Sequence, residues 1–303
     1  MVEALKEVGA DVGHLNHRGH YPLRIQGKNL TGGEINMSGK LSSQYISGLL
    51  IAAPYFTEPL TINIEDHIVQ HAYVKLTIEL MEKFGATLQY DNSLSKIVVY
   101  PSAYKPQDVN LEADASTACY FLALAALNNG RIRIDNLTRE TKQPDIKMLD
   151  ILEKMGCKVR RGKSFIELEG IEQLKGGFEI SMREMSDQAL TLAVLAVFAD
   201  GPITIKDVEH IRYHESDRIS VMSESLSKSG IKVEEFKDGL KVYPGVPEPT
   251  LLDTHDDHRV AMSLSLLGSK IEGVQLNDPG CVSKTCPQYF EMLESLGLNI
   301  SYI

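Results

Sequence analysis

The chain has 303 residues, 43% hydrophobic and 24% charged, a mixture that can bury a core and excludes a fibre, a disordered tail or a disulfide-stapled secreted scaffold. Its 31 basic residues against 41 acidic ones give a formal charge of −10, which argues against nonspecific binding to nucleic acid or to an anionic membrane. A small anionic ligand can still be held where a few cations gather locally.

In chain order, Met1 to Asp11 reads as the end of an amphipathic helix with a glycine stop, and His14 to Gly27 as a hairpin. A longer grammar then begins. A short strand follows a glycine, then a polar tetrapeptide, an Ala/Leu-rich helix, a β-branched strand, a second amphipathic helix and a hairpin. The pattern occurs four times, about 70 residues apart, a period too long for the common solenoids. The first helices open at Ser42-Ser43-Gln44, Asp114-Ala115-Ser116-Thr117, Ser186-Asp187-Gln188 and Asp256-Asp257-His258-Arg259. The second helices run from Lys75, Asp145, Asp217 and Tyr289, with apolar residues at i, i+3, i+4 and i+7 and a glycine before the next strand. Met1 to Gly27 carries only the last part of such a unit, so the chain is expected to be a truncation of something longer. The plainer alternative is that Met1 begins a simple capping helix.

The most apolar stretch, Ala189 to Ala199, falls short of the roughly 18 residues that a membrane span needs. The opening residues lack the shape of a signal peptide. Four scattered cysteines fit neither a disulfide framework nor a zinc knuckle, and three of them are expected to be small core residues. The expected compartment is the reducing cytoplasm.

Equivalent elements of a repeat face the same way, so the N-termini of the first helices are expected to gather, with the loops before the second helices beside them. Helix N-termini attract phosphate and carboxylate. Ser, Thr and Asp at these places are also ordinary caps worth about 1 kcal/mol each. Caps do not account for Arg259 beside His258, for Lys284 before the last helix, or for Arg212, Glu215, Asp217 and Arg218 in one loop. Cations at equivalent positions point to an anion with more than one charged group. A solvated charged surface is the alternative reading.

The same residues carry a specific likeness. Ser42-Ser43-Gln44-Tyr45, Asp114-Ala115-Ser116, Glu215-Ser216-Asp217-Arg218, Asp257-His258-Arg259-Val260-Ala261-Met262 and Lys284-Thr285-Cys286-Pro287-Gln288-Tyr289-Phe290 stand in the order and at the spacing of the EPSP synthase (3-phosphoshikimate 1-carboxyvinyltransferase) family. The resemblance covers essentially the whole chain, about the last 70% of the family's length. It implies an inverse α/β prism built from βαβαββ repeats of about 70 residues, with the helices inside and substrates bound between two domains. The first domain would be incomplete, residues 1–111 holding part of one repeat and one whole repeat. Residues 112–303 would form a C-terminal domain of three repeats.

The activity implied is transfer of the enolpyruvyl group of phosphoenolpyruvate to the 5-hydroxyl of shikimate 3-phosphate, in the shikimate pathway to aromatic amino acids. The chemistry requires no metal and no cofactor. Carried over position by position, Asp187 and Glu215 would be the acid/base groups. Ser42, Ser43, Gln44, Tyr73, Asp187 and His214 would contact shikimate 3-phosphate. Gln44, Arg218, Arg259 and Lys284 would contact phosphoenolpyruvate. The implied partners are thus two small anions, with no nucleic acid or membrane, and a missing N-terminal segment or self-association besides.

The match departs from the family at three places. Gln70-His71-Ala72-Tyr73 stands where the family has Ser-Lys/Arg-Pro-Tyr, and His210 and His214 stand where it has asparagine and a substrate-binding lysine. The Gly-Ser-Lys-Ser…Asn-Arg and Asn-Ala-Gly-Thr…Arg motifs are not in the sequence. Losing their charge-assisted bonds, about 1.5–3 kcal/mol each, leads to the expectation that this chain alone is inactive or weak. A degenerate homologue that binds a phosphorylated ligand or a protein without catalysis is the second reading. A UDP-N-acetylglucosamine enolpyruvyl transferase of the same fold is the third, disfavoured by the Ser-Ser-Gln and Asp-Ala-Ser elements.

Overall fold

The computed structural model describes residues 1–138 and 140–303, and the chain divides into two units, Met1–Asn110 and Leu111–Ile303. The first unit opens with α1 (Val2–Glu7) and a hairpin of β1 (Asp11–His14) and β2 (Leu23–Gln26). There follow β3 (Gly33–Met37), α2 (Ser43–Ala52), β4 (Leu60–Ile64), α3 (His71–Lys83), β5 (Thr87–Tyr90) and β6 (Lys96–Tyr100). The sheet order is β3-β4-β6-β5, with β3 and β4 parallel and the other pairs antiparallel. Register sets Ile35 against Ile62 and Ile62 against Ile97, so one sheet face is a buried aliphatic row. Ile46, Leu49 and Leu50 of α2 and Val74, Ile78 and Met81 of α3 share its core. Helix α3 begins at His71, a turn before the expected Lys75. Gln70 at φ +50° turns the chain sharply, and helical geometry starts right after it.

The second unit continues with α4 (Ala115–Leu127), β7 (Arg131–Asp135), α5 (Met148–Lys154), β8 (Lys158–Arg161) and β9 (Phe165–Glu169). Next come β10 (Phe178–Ser181), α6 (Ala189–Val197), β11 (Ile203–Lys206), α7 (Arg218–Lys228), β12 (Val233–Phe236) and β13 (Gly239–Val242). The last elements are β14 (Leu251–Asp253), α8 (His258–Gly268), β15 (Gln275–Asn277) and α9 (Tyr289–Ser295). Helix α4 is buried everywhere but Thr117, and α6 at every residue. A helix apolar all round has no face for water and must lie inside. Helices α4, α6 and α8 pack on one another, with alanines such as Ala123, Ala193 and Ala261 permitting close approach. The sheets β7-β9-β8, β10-β11-β13-β12 and β14-β15 belong to the same unit and flank these helices. This is the helices-inside prism that the resemblance implies.

The glycine stops behave as the sequence indicates. Gly9, Gly85, Gly156, Gly230 and Gly297 have φ between +82° and +103°. After α3 the N–H of Gly85 donates to Glu82 and that of Ala86 to Met81, and after α7 Gly230 donates to Ser227 and Ile231 to Leu226. This paired closure satisfies carbonyls at the helix end and needs a left-handed residue.

The copies are less uniform than their sequences. Residues 33–100 and 178–242 carry the full strand set. Among the described residues, no strand precedes α4, where Ala113 makes a single backbone bond to Asn136, and no hairpin follows α9. In the third copy Ser186, Asp187 and Gln188 close a 3-10 turn (Arg183–Gln188) rather than opening the helix, which begins at Ala189. Of the cysteines only Cys119 and Cys157 are core residues. Cys281 and Cys286 are half-buried, because the turn before α9 lies at the surface. Among the described residues no helix is long and apolar enough to cross a membrane.

Candidate active site

Three segments of the second unit meet at the entrances to its helices. Asp187 lies just before α6, Arg218 begins α7 after its cap Asp217, and Asp257 caps α8 by accepting the N–H of Arg259 at 2.9 Å. Lys284 ends the turn before α9. Asp217 and Asp257 cap α7 and α8, and Arg218 and Arg259 lie in the first turns directly behind them.

Arg218 is the hub. A guanidinium has five N–H groups, and here each meets an acceptor of the chain. Nε donates to Asp257 Oδ2 at 2.7 Å. Nη1 donates to Asp187 Oδ1 at 2.9 Å and to His214 Nδ1 at 3.2 Å. Nη2 donates to Glu215 Oε2 at 2.8 Å and to Asp257 Oδ1 at 3.1 Å. Asp187 turns its other oxygen to Arg259 Nη2 at 3.0 Å. Glu215 turns its other oxygen to Lys284 Nζ. Three cations and three carboxylates thus form one chain of ion pairs, Arg218 being only 1% exposed.

The cations converge as the sequence indicates, but on carboxylates of the protein, so the site is not the bare positive hollow that counting cations suggests. The reason is desolvation: a buried cation persists only when paired, and removing one partner from such a cluster costs about 3–5 kcal/mol. The ionisations follow. Burial works against the Asp187 carboxylate, yet Arg259 and Arg218 hold its pKa below the ordinary value. Burial likewise opposes the Glu215 anion, and Lys284 and Arg218 overcome it, bringing its pKa down to about 2. Burial and then Arg218 push His214 below its ordinary value. Arginine can only donate, so the contact with Nδ1 leaves the His214 hydrogen on Nε2. Held in this way, His214 is a hydrogen-bond donor through Nε2. His258, at the start of α8, is pushed down to about 4 by burial and by Arg259, and its buried Nδ1 has no hydrogen-bond partner among the described residues.

A cavity of about 420 Å³ opens beside the cluster, lined by Glu215, Lys284, Ser283, Cys281, His255 and Asp256. In the first unit, Ser42 caps α2 by accepting the N–H of Gln44 at 3.2 Å, with Ser43 buried and Gln44 exposed. Tyr73 sits half-buried in the first turn of α3. The structure therefore brings Asp187, His214, Glu215, Arg218, Arg259 and Lys284 together, while Ser42, Ser43, Gln44 and Tyr73 belong to the first unit. Sequence reasoning missed Asp257 as a site residue, since a cap position concealed its two bonds to Arg218. It also missed the buried contact of His210 Nε2 with Ser186 Oγ at 2.8 Å, which no local pattern encodes.

Comparison with known proteins gives a consistent picture. The family profile described as EPSP synthase (3-phosphoshikimate 1-carboxyvinyltransferase) matches residues 1–293. A protein of Halalkalibacterium halodurans named 3-phosphoshikimate 1-carboxyvinyltransferase 2 is 65% identical over 304 residues, covering 100% of this chain and 68% of that protein. The 3-phosphoshikimate 1-carboxyvinyltransferase of Trichormus variabilis is 38% identical over 290 residues, covering 96% and 68%. Among solved structures, the EPSP synthase of Acinetobacter baumannii superposes with a TM-score of 0.79 at 22% identity, covering 99% of this chain and 70% of that one, a likeness of fold.

Proposed function

This chain belongs to the EPSP synthase family, and on that premise we propose that it serves the transfer of the enolpyruvyl group of phosphoenolpyruvate to the 5-hydroxyl of shikimate 3-phosphate, with release of phosphate. The observation that carries the reading is the meeting of Arg218, Arg259 and Lys284 with Asp187 and Glu215 at the ends of α6, α7 and α8. In the reaction, a proton added at C3 of the enol makes C2 electrophilic. The hydroxyl oxygen then bonds to C2, and phosphate leaves as C3 gives up a proton. Cations that hold the phosphate and carboxylate favour both steps.

In this reading Arg259 and Lys284 hold phosphoenolpyruvate, and Arg218 joins them by exchanging a protein carboxylate for the ligand. Asp187, kept ionised, accepts the proton of the attacking hydroxyl, and Glu215 is the second acid/base group. His214 offers Nε2–H to an oxygen of shikimate 3-phosphate. The start of α2, with Ser42, Ser43 and Gln44, takes the shikimate phosphate, Gln44 also serves phosphoenolpyruvate, and Tyr73 flanks the ring. Turnover by a preparation of this chain alone is expected to be slow, because the Gly-Ser-Lys-Ser…Asn-Arg and Asn-Ala-Gly-Thr…Arg motifs are not in its sequence. Four unbridged cysteines fit a reducing compartment, and we assign the protein to the cytoplasm.

Calorimetric titration of phosphoenolpyruvate into the whole chain tests the reading. Binding should weaken roughly ten- to hundredfold in Arg259→Met, the loss of one charge-assisted contact. Unchanged affinity in that variant would contradict it.

A further inference from the structure

A general acid must hold a proton near the working pH, yet Asp187 and Glu215 are both kept ionised by their cations. The two differ in how firmly they are held. Asp187 is buried between Arg218 and Arg259. Glu215 lies in the short connection before α7, its side chain 31% exposed, with one oxygen on Arg218 Nη2 at 2.8 Å and the other on the exposed Lys284. Both Glu215 and Lys284 line the cavity. An anion that takes Lys284 from the cavity side takes it from Glu215, whose other oxygen is on the buried Arg218 behind it.

We propose that Glu215 is the resident counter-anion of the site: an incoming phosphate group displaces its carboxylate from Lys284 and Arg218, and the displaced carboxylate takes up a proton and becomes the acid. The inference rests on the proposed function and gives its acid a source. The only bond formed is O–H on the Glu215 carboxylate, and the proton comes from solvent. The groups facing Glu215 are Arg218 and His214 from its own segment, Lys284 from the turn before α9 and His258 from α8, with His255 and Asp256 across the cavity. Once the cations face a ligand, partial burial, the neighbouring Asp256 and the ligand's negative charge all act to raise the Glu215 pKa.

Sulfate is a suitable probe, because it carries two charges and does not titrate between pH 5 and 7. Titrated into the whole chain in buffers of different ionisation enthalpy, sulfate should bind with proton uptake that grows from pH 7 to pH 5. Glu215→Gln should abolish the uptake and bind sulfate roughly five- to tenfold more tightly, since the competing anion is gone. Lys284→Met, a change at an exposed side chain, should weaken sulfate binding. Binding without uptake in the native chain, uptake that survives Glu215→Gln, or equal or weaker binding by that variant would each overturn the inference. Sulfate exchange with proton uptake, but no enolpyruvyl product from the two substrates, would sink the proposed function and with it the role of Glu215 as its acid, leaving only the exchange of the Glu215 carboxylate for an anion.

Discussion

Helices α2 and α4 open repeats of the same grammar, and each begins with a side-chain cap, Ser42 or Asp114. Their surroundings differ. Helix α4 lies among α6 and α8 and is buried along nearly its whole length. Helix α2 packs one face on its own sheet and α3, leaving Tyr45 43% and Ile51 51% exposed. Composition alone would bury both. Whether an apolar helix is wrapped or half-wet is decided by how many sister helices share its core. The consequence for function is electrostatic. At the entrances to α6, α7 and α8 charges interact in a dry setting and shift one another's pKa values, whereas the start of α2 meets water, where the same charges are worth little.

The contrast can be broken most severely at Arg218. Arg218→Met leaves Asp257 without its cation and Asp187 with only one, and should cost the second unit about 3–5 kcal/mol, with the first unit's unfolding left in place. Urea unfolding followed by probes in each unit reads this, and a loss below about 1 kcal/mol would show the cluster to be dispensable. Next in size is a matched pair of truncations. Leu195→Ala in α6 should cost about 2–5 kcal/mol by opening a cavity, against about 0.5 kcal/mol for Ile51→Ala on the exposed face of α2. Equal costs would mean that the two helices are packed alike.

Acid should then separate the units without mutation. His258 has a folded-state pKa of about 4, below its ordinary 6.5. Its contribution is present above pH 6.5 and is lost as the pH falls through about 4. Glu215, at about 2 against 4.5, contributes above pH 4.5 and loses that contribution as the pH falls through about 2. The second unit should therefore weaken in two successive stages, the first removed by His258→Gln. A single stage common to both units would contradict the assignment. The smallest effect is at the cap of α2, where Ser42→Ala should cost the first unit about 1 kcal/mol in thermal or urea unfolding.

Much of the fold was legible because it is written locally. Glycines that stop helices, caps that start them and the change from a period of 3.6 to a period of 2 all act over a few residues, and Gly85, Gly230 and Asp257 were readable for that reason. The candidate site was half legible. Arg218, Arg259 and Lys284 could be seen as a set from the repeat, but not that Asp187, Glu215 and Asp257 would occupy them, because pairing across segments far apart in sequence depends on tertiary placement. That no strand precedes α4 among the described residues was illegible for a similar reason: a strand needs a neighbour, and its sequence does not say whether one is there.

The account turns on the ion-pair cluster of the second unit being the place of enolpyruvyl transfer. The most direct test is to incubate the whole chain with phosphoenolpyruvate and shikimate 3-phosphate and to weigh the products by mass spectrometry, beside Asp187→Asn. The account predicts slow formation of the enolpyruvyl ether and phosphate in equal amounts, dependent on both substrates and lost in Asp187→Asn. Ether formed undiminished by Asp187→Asn, or formed without shikimate 3-phosphate, would contradict it.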